Sequence, residues 1–430
     1  MRRTVPAVVL ALALAVTAGC GDGGGGGGNA DKANAAKGPI TIWLSNNKEE
    51  LAWGNAMVEA WNAQHADQKV TAQELPAGKT SEEVIGAAIT AGNAPCLIFN
   101  TAPAAVPQFQ KQGGLVALDS FDGATQYIAD RTGDTANQYK SPDGKFYQLP
   151  WKSNPVMIFY NKQIFAKAGL DAEKPALSTY DEFLAAARKI KSSKAAQAAI
   201  WPSPASEFFQ PWFDFYPLYA AETDGKQLVQ DGKAQFNSPE GQKVAEFWKT
   251  LYDEGLAPKE AYNGDAFGEA KSAMAIVGPW AIAVYGSKVK WGAVPVPTSA
   301  GKSADQIKTF SDAKNVAMYS ACKNRATAWE VLKFATSKEQ DGELLSKTGQ
   351  MPLRKDLPTA YPDYFSKNPA YQQFAGQAAR TVEVPNVPNS VAIWQAFRDA
   401  YSESVIFGKK PVPDAFSAAA QKVDQLATGS

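Results

Sequence analysis

Short apolar runs alternating with longer helical segments constrain this chain more than any other feature. Ile40-Thr41-Ile42-Trp43-Leu44 reads as a first strand that ends in the polar turn Ser45-Asn46-Asn47-Lys48. A helix follows, with Leu51, Gly54, Val58 and Trp61 spaced to share one face. Cys96-Leu97-Ile98-Phe99, introduced by Pro95, is a short buried strand, and residues 156–160, 274–277, 293–296 and 316–319 are further strand candidates. Thr179 with Glu182 predicts a capping box ahead of Phe183. Ser238-Pro239 starts a helix that Gly255 stops, and 326–335 is a third strong helix. Strands interleaved with helices argue for α/β sheets of mainly parallel strands.

The N-terminus sets the compartment. Arg2 and Arg3 precede a short apolar run from Val5 to Val16, and Thr17-Ala18-Gly19 leads into Cys20. That order is a secretory signal, and the run is too short to span a bilayer. Ala-Gly-Cys resembles a bacterial lipobox, in which Cys20 is lipidated and becomes the first residue of the mature chain. The expected location is therefore extracytoplasmic, on the outer face of the cytoplasmic membrane. Gly21 to Gly28, broken only by Asp22, and the Ala/Asn/Lys stretch after it read as a flexible tether.

About 390 residues remain beyond residue 37, more than one compact core holds and enough for two domains. The 43 basic and 43 acidic residues balance, which removes the electrostatic case for nucleic acid. His65 is the single histidine and the cysteines number three, so no metal-ligand spacing exists and a Ser-His-Asp triad would have to use His65. No cofactor is expected. Cys96 and Cys322 are either a disulfide, favoured by an oxidising compartment, or two small buried hydrophobes. Eleven Trp, fifteen Tyr and twenty-one Phe are many, and Trp151, Trp201, Trp212 and Trp280 stand beside prolines. A Trp there is poorly placed for a sheet core, whereas its flat face suits the apolar face of a sugar ring.

Several segments together resemble the solute-binding proteins of the extracellular carbohydrate family (family 1) of ABC transporters, the group that includes maltose-binding protein. The similarity runs from about Pro39 to Ala427. It is carried by Trp43-Leu44-Ser45-Asn46-Asn47-Lys48, by Gly92-Asn93-Ala94-Pro95-Cys96 and by Leu149-Pro150-Trp151 through Phe159-Tyr160-Asn161-Lys162. Ala266-Phe267-Gly268-Glu269-Ala270-Lys271-Ser272-Ala273-Met274 leading to Gly278-Pro279-Trp280 is the most specific match, and Val384-Pro385-Asn386-Val387-Pro388 with Trp394 and Arg398 adds to it. The resemblance implies an α/β, two-lobed periplasmic-binding-protein-like fold of class II. Each lobe would be a mixed sheet flanked by helices, with three interdomain crossings near 152–155, 311–314 and 336–340. The limits that follow are 1–19 signal peptide, 20–37 lipidated tether, 38–152 plus 313–338 first lobe, and 153–312 plus 339–430 second lobe.

Carried over position by position, it implies sugar contacts from Asn47 and Lys48, with Glu82 and Asn100 as neighbours. Asn154 stands where the family often has a carboxylate. Trp280 and Trp394 would be stacking platforms, Trp212 or Phe213 a further wall, and Arg398 a cleft residue. Asn47 and Asn154 in place of acidic groups argue against a specifically maltodextrin ligand. The implied function is capture of a mono- or oligosaccharide by a monomer that closes around it and hands it to ABC permease subunits, without chemistry. Two alternatives share the residues: a secreted glycan-active hydrolase, which needs two carboxylates about 5–10 Å apart, and the same fold binding a polyol or glycerol phosphate.

Overall fold

The computed structural model describes residues 27–77, 80–202, 214–286 and 288–428. Cys20, Trp212 and Phe213 lie outside the described residues, as does the signal segment. Strands used below are β1 (Ile40–Leu44), β2 (Val70–Glu74), β3 (Leu97–Thr101), β4 (Leu149–Lys152), β5 (Met157–Asn161), β6 (Ala198–Ile200), β7 (Ser272–Val277), β8 (Trp291–Val294), β9 (Thr309–Phe310), β10 (Lys314–Met318) and β11 (Thr381–Val382). The helices are α1 (Gly27–Ala35), α2 (Lys48–Gln64), α3 (Ser81–Thr90), α4 (Ala124–Thr132), α5 (Tyr180–Ser192), α6 (Pro239–Asp253), α7 (Trp280–Tyr285), α8 (Arg325–Ala335), α9 (Lys338–Thr348), α10 (Ser390–Tyr401) and α11 (Val412–Ala427). Among the described residues no helix is long and apolar enough to cross a membrane.

Two sheets, each with its own core, form the two lobes. The first runs β2-β1-β3-β10-β4 and the second β8-β5-β7-β6. In the first, β1 is parallel to both neighbours, whereas β10 is antiparallel to β3 and β4. In the second only β6–β7 is parallel. The sheets are therefore mixed. Alternation of elements predicted the layers but could not reveal that β10 returns from the other lobe, running opposite to β3.

Local chemistry explains the elements. Thr179 caps α5 with the reciprocal Glu182 hydrogen bonds of a capping box, and Ser238 caps α6 ahead of Pro239. α2 buries Trp53, Gly54, Met57, Val58 and Trp61 against the sheet. Gly54 permits the close approach, since a Cβ there would come within 2.5 Å of Leu44 Cδ1. Trp151 departs from expectation: it is fully buried between Trp53 and Phe99, because β4 extends past Pro150 and turns the indole into the first core.

Cys96 and Cys322 are bonded to each other. They join the entry to β3 with the turn after β10, within one lobe. The stretch read as a flexible tether is also structured in part. α1 packs on α8, Arg325 Nη1 donates to Asn34 Oδ1 (3.3 Å), Ala326 N to Ala36 O (3.1 Å) and Gly38 N to Thr327 Oγ1 (3.1 Å). An alanine-rich stretch can propagate a helix once neighbouring surface receives it.

The lobes meet where three strands of chain lie together. Lys152 bridges Pro352, Pro155 bridges Ser311, and the Ser153 and Ser311 hydroxyls are 2.7 Å apart. Trp53 Nε1 donates to Gln340 O at 3.1 Å, so α9 lies on α2 and the chain leaves the first lobe near Gln350. Arg131, at the end of α4, is buried at this junction. It gives both Asp341 oxygens a hydrogen bond (3.0 and 2.9 Å) and donates to the carbonyls of Pro150, Trp151, Thr336 and Leu353.

Candidate functional site

A cleft of about 760 Å³ opens between the lobes. The first lobe lines most of it, through the β1–α2 turn (Ser45, Asn46, Asn47), the end of β2 (Glu74) and the start of α3 (Glu82). From the second lobe come Trp280, Ala283 and Val284 of α7. Strand ends and helix starts converge here because the parallel strands β1, β2 and β3 all finish at this edge, as α/β architecture requires.

The floor is a buried polar cluster. Glu50, in the first turn of α2, is 2 % exposed and Lys152, the last residue of β4, is 1 % exposed. Lys152 Nζ donates to Glu50 Oε2 and, at 2.5 Å, to Gln350 Oε1; Gln350 Nε2 donates to Glu50 at 3.0 Å. Asn100 completes the ring by donating to the other Glu50 oxygen. It does so from a left-handed backbone (φ 64°), a strained conformation that Asn tolerates and that accumulates at binding sites. Burial alone would push the Glu50 carboxyl up. The Lys152 ammonium and the Asn100 and Gln350 amides outweigh it and hold the carboxyl below its usual range. Burial lowers the Lys152 pKa despite Glu50 beside it. Beyond this ring, Lys314 pairs with Asp312 at 2.9 Å. Burial opposes the Lys314 charge, but Asp312 prevails and its pKa lies above the ordinary value.

Asn47, Glu82, Asn100, Asn154 and Trp280 all line the cleft. Asn47 also caps α2, its Oδ1 accepting from Glu50 N at 2.9 Å. Asn154 is buried, with Nδ2 donating to Asp312 O (3.3 Å) and Oδ1 accepting from Met351 N (3.4 Å), so its amide ties the three passages together. Lys48 is exposed and is not a cleft-lining residue, because α2 turns it away while Glu50 faces inward.

Trp394 and Arg398 correct the expectation from the Pro-Asn-Val-Pro motif. Trp394 is 1 % exposed and belongs to the second core with Ile393 and Phe397; Arg398 pairs with Asp399 on α10. Asn386 of the same motif donates to Lys140 O across the junction rather than entering the cleft. Sequence reasoning missed Glu50, Lys152 and Gln350. Their signal is not local: Glu50 reads as a helix first-turn acid, and Lys152 and Gln350 meet it only in the fold.

Gly278-Pro279-Trp280 has a specific geometry. A Cβ on Gly278 would fall 1.8 Å from the Trp280 ring, so the indole lies across the glycine and is fixed there at the cleft wall. Gly278→Ala is therefore expected to displace the ring and weaken ligand binding about as much as Trp280→Ala. A stacking contact of about 0.5–1.5 kcal/mol corresponds to roughly two- to twelvefold in affinity. Titration calorimetry of both variants checks this; full affinity in Gly278→Ala would show that the ring position does not matter.

Two sheeted lobes joined by three chain passages, with a polar-floored cleft between them and a tryptophan on the far wall, define a hinged binding protein. Residues 56–373 match the family described as bacterial extracellular solute-binding protein, and the chain belongs to that family. The diacetylchitobiose binding protein DasA of Streptomyces coelicolor is 26% identical over 393 residues, covering 86% of each chain. The sn-glycerol-3-phosphate-binding periplasmic protein UgpB of Escherichia coli is 26% identical over 419 residues, covering 90% of this chain and 92% of that one. The crystal structure of the cyclic alpha-maltosyl-1,6-maltose binding protein from Arthrobacter globiformis superposes with a TM-score of 0.76 at 24% identity, covering 92% of this chain and 100% of the other. That likeness establishes the shared two-lobed fold.

Proposed function

We propose that this chain captures a carbohydrate outside the cytoplasm and delivers it to the permease subunits of an ABC importer, acting as a monomer anchored through lipidated Cys20 and carrying out no chemistry. The observation that carries the reading is the composition of the cleft, which carboxylates and amides line together with Trp280 of the second lobe. Hydroxyl rims and C–H faces of a sugar ask for that pairing. Ligand held by both lobes favours the closed form over the open one, which offers only half of the contacts. This reading takes the lobe limits as 38–152 with 314–348, and 153–313 with 349–428, assigning α9 to the first lobe and not, as the resemblance implied, to the second, since α9 lies on α2. Support for a sugar comes also from the relative named for diacetylchitobiose. The glycerol phosphate reading has less support, since no arginine is among the described cleft-lining residues.

A thermal-shift screen of the whole chain against mono-, di- and trisaccharides and glycerol 3-phosphate tests the proposal. A sugar present at about 100 times its Kd is expected to stabilise the protein by about 2.7 kcal/mol. Stabilisation by glycerol 3-phosphate alone, or release of smaller sugars during incubation, would sink it.

A further inference from the structure

The carbohydrate reading leaves open which charge the ligand carries, and the cleft bears on that. Over the whole chain charges cancel, 43 against 43. Around the cleft they do not: Glu49, Glu50, Glu74, Glu82 and Asp312 line it, against Lys152 and Lys314. Both lysines are already engaged, Lys152 by Glu50 and Lys314 by Asp312. Glu49, Glu74 and Glu82 remain outside any ion pair among the described residues, although Glu82 lies close enough to Lys314 to favour its charge. Glu49 and Glu82 stand in the first turns of α2 and α3, where the helix dipoles offset about half a charge each. Glu74, at the end of β2, has no such offset. A cleft lined by one sign concentrates the opposite sign, and the facing wall is an indole, whose ring face also attracts cations.

Resting on the carbohydrate reading, we infer that the cleft selects saccharides bearing a basic nitrogen, an amino sugar with a free amine, over neutral or anionic sugars. A protonated amine would sit between the carboxylates of β2 and α3 and Trp280, while a phosphate or uronate there would meet a net negative wall, which the helix dipoles and Lys314 offset only in part.

Calorimetric titration of the full chain with two forms of one disaccharide tests this: β-1,4-linked glucosamine dimer, cationic at pH 6, and its N-acetylated, neutral counterpart. The amine form is expected to bind at least tenfold more tightly in low salt. That ratio should shrink in 0.5 M NaCl, and it should shrink again in Glu74→Gln and in Glu82→Gln. Salt and the substitutions separate charge from the bulk of the acetyl group, which neither alters. Equal binding of the two forms, tighter binding of the acetylated one, or a ratio indifferent to both salt and Glu→Gln overturns the inference. If neither form binds but a neutral glucose oligosaccharide does, the charge preference falls and the carbohydrate reading stands. Binding of glycerol 3-phosphate alone removes both.

Discussion

Replacing Arg131 with methionine is expected to lower the free energy of unfolding by about 3–5 kcal/mol, the range seen when one partner of a buried ion pair is removed. The guanidinium is 3 % exposed and Asp341 fully buried. Without Arg131, Asp341 keeps only Arg354 (3.0 Å) as a cationic neighbour. The carbonyls of Pro150, Thr336 and Leu353 also lose the hydrogen bond that Arg131 gives them, as does that of Trp151, which keeps a second one from Leu353 N at 2.8 Å. Methionine fills much of the volume, so the loss reports charge and hydrogen bonding rather than a void. Urea denaturation followed by tryptophan fluorescence measures it. A midpoint within error of the parent protein would mean that water or a rearranged Arg354 replaces the guanidinium.

The second large effect is on the pH dependence of stability. Glu383, immediately after β11, is fully enclosed at the lobe junction. Tyr139 of the first lobe donates to its Oε2 at 3.0 Å and Val384 N to its Oε1 at 2.8 Å. Burial, only partly offset by these bonds and by Lys314 and reinforced by Asp312, pushes its pKa from 4.5 up to about 8. The folded state thus binds the proton more tightly than the unfolded chain. Glu383 contributes fully below pH 4.5, and that contribution is lost as pH rises to about 8, on the order of 5 kcal/mol in all. Glu383→Gln removes the titration while retaining an amide that can hydrogen-bond. The difference in stability between parent and variant should therefore move in favour of the variant from pH 5 to pH 8.5, then level off. Parallel curves across that range would show that the carboxyl titrates normally.

Much of the fold was legible because it rests on local signals. The capping box at Thr179, the Ser238-Pro239 start and the short apolar strands are local properties of the chain, and each appears within a residue or two of where it reads. What could not be read depends on partners distant in sequence. Glu50 looks like an ordinary acid in a helix first turn; only the arrival of Lys152, Asn100 and Gln350 makes it the cleft floor. Trp394 misled for the opposite reason. Its motif pointed to the cleft, yet Ile393, Phe397 and Tyr401 mark the same stretch as a core-facing helix side, and that periodicity prevails. The segments 45–47 and 278–280 stand out through the family resemblance of their motifs rather than from local chemistry, and Asn47 and Trp280 do line the cleft.

The place of β10 in its sheet has a consequence for the order of assembly. β10 lies between β3 and β4, and everything from β5 to β9 precedes it in the chain. Until Lys314–Met318 has emerged, β3 and β4 present bare facing edges, and Cys96 waits for a cysteine 226 residues downstream. The first lobe therefore cannot finish before most of the second has been made, which raises the contact order of its central pairing. A chain halted short of Lys314 carries two open strand edges, the kind of surface on which aggregation begins.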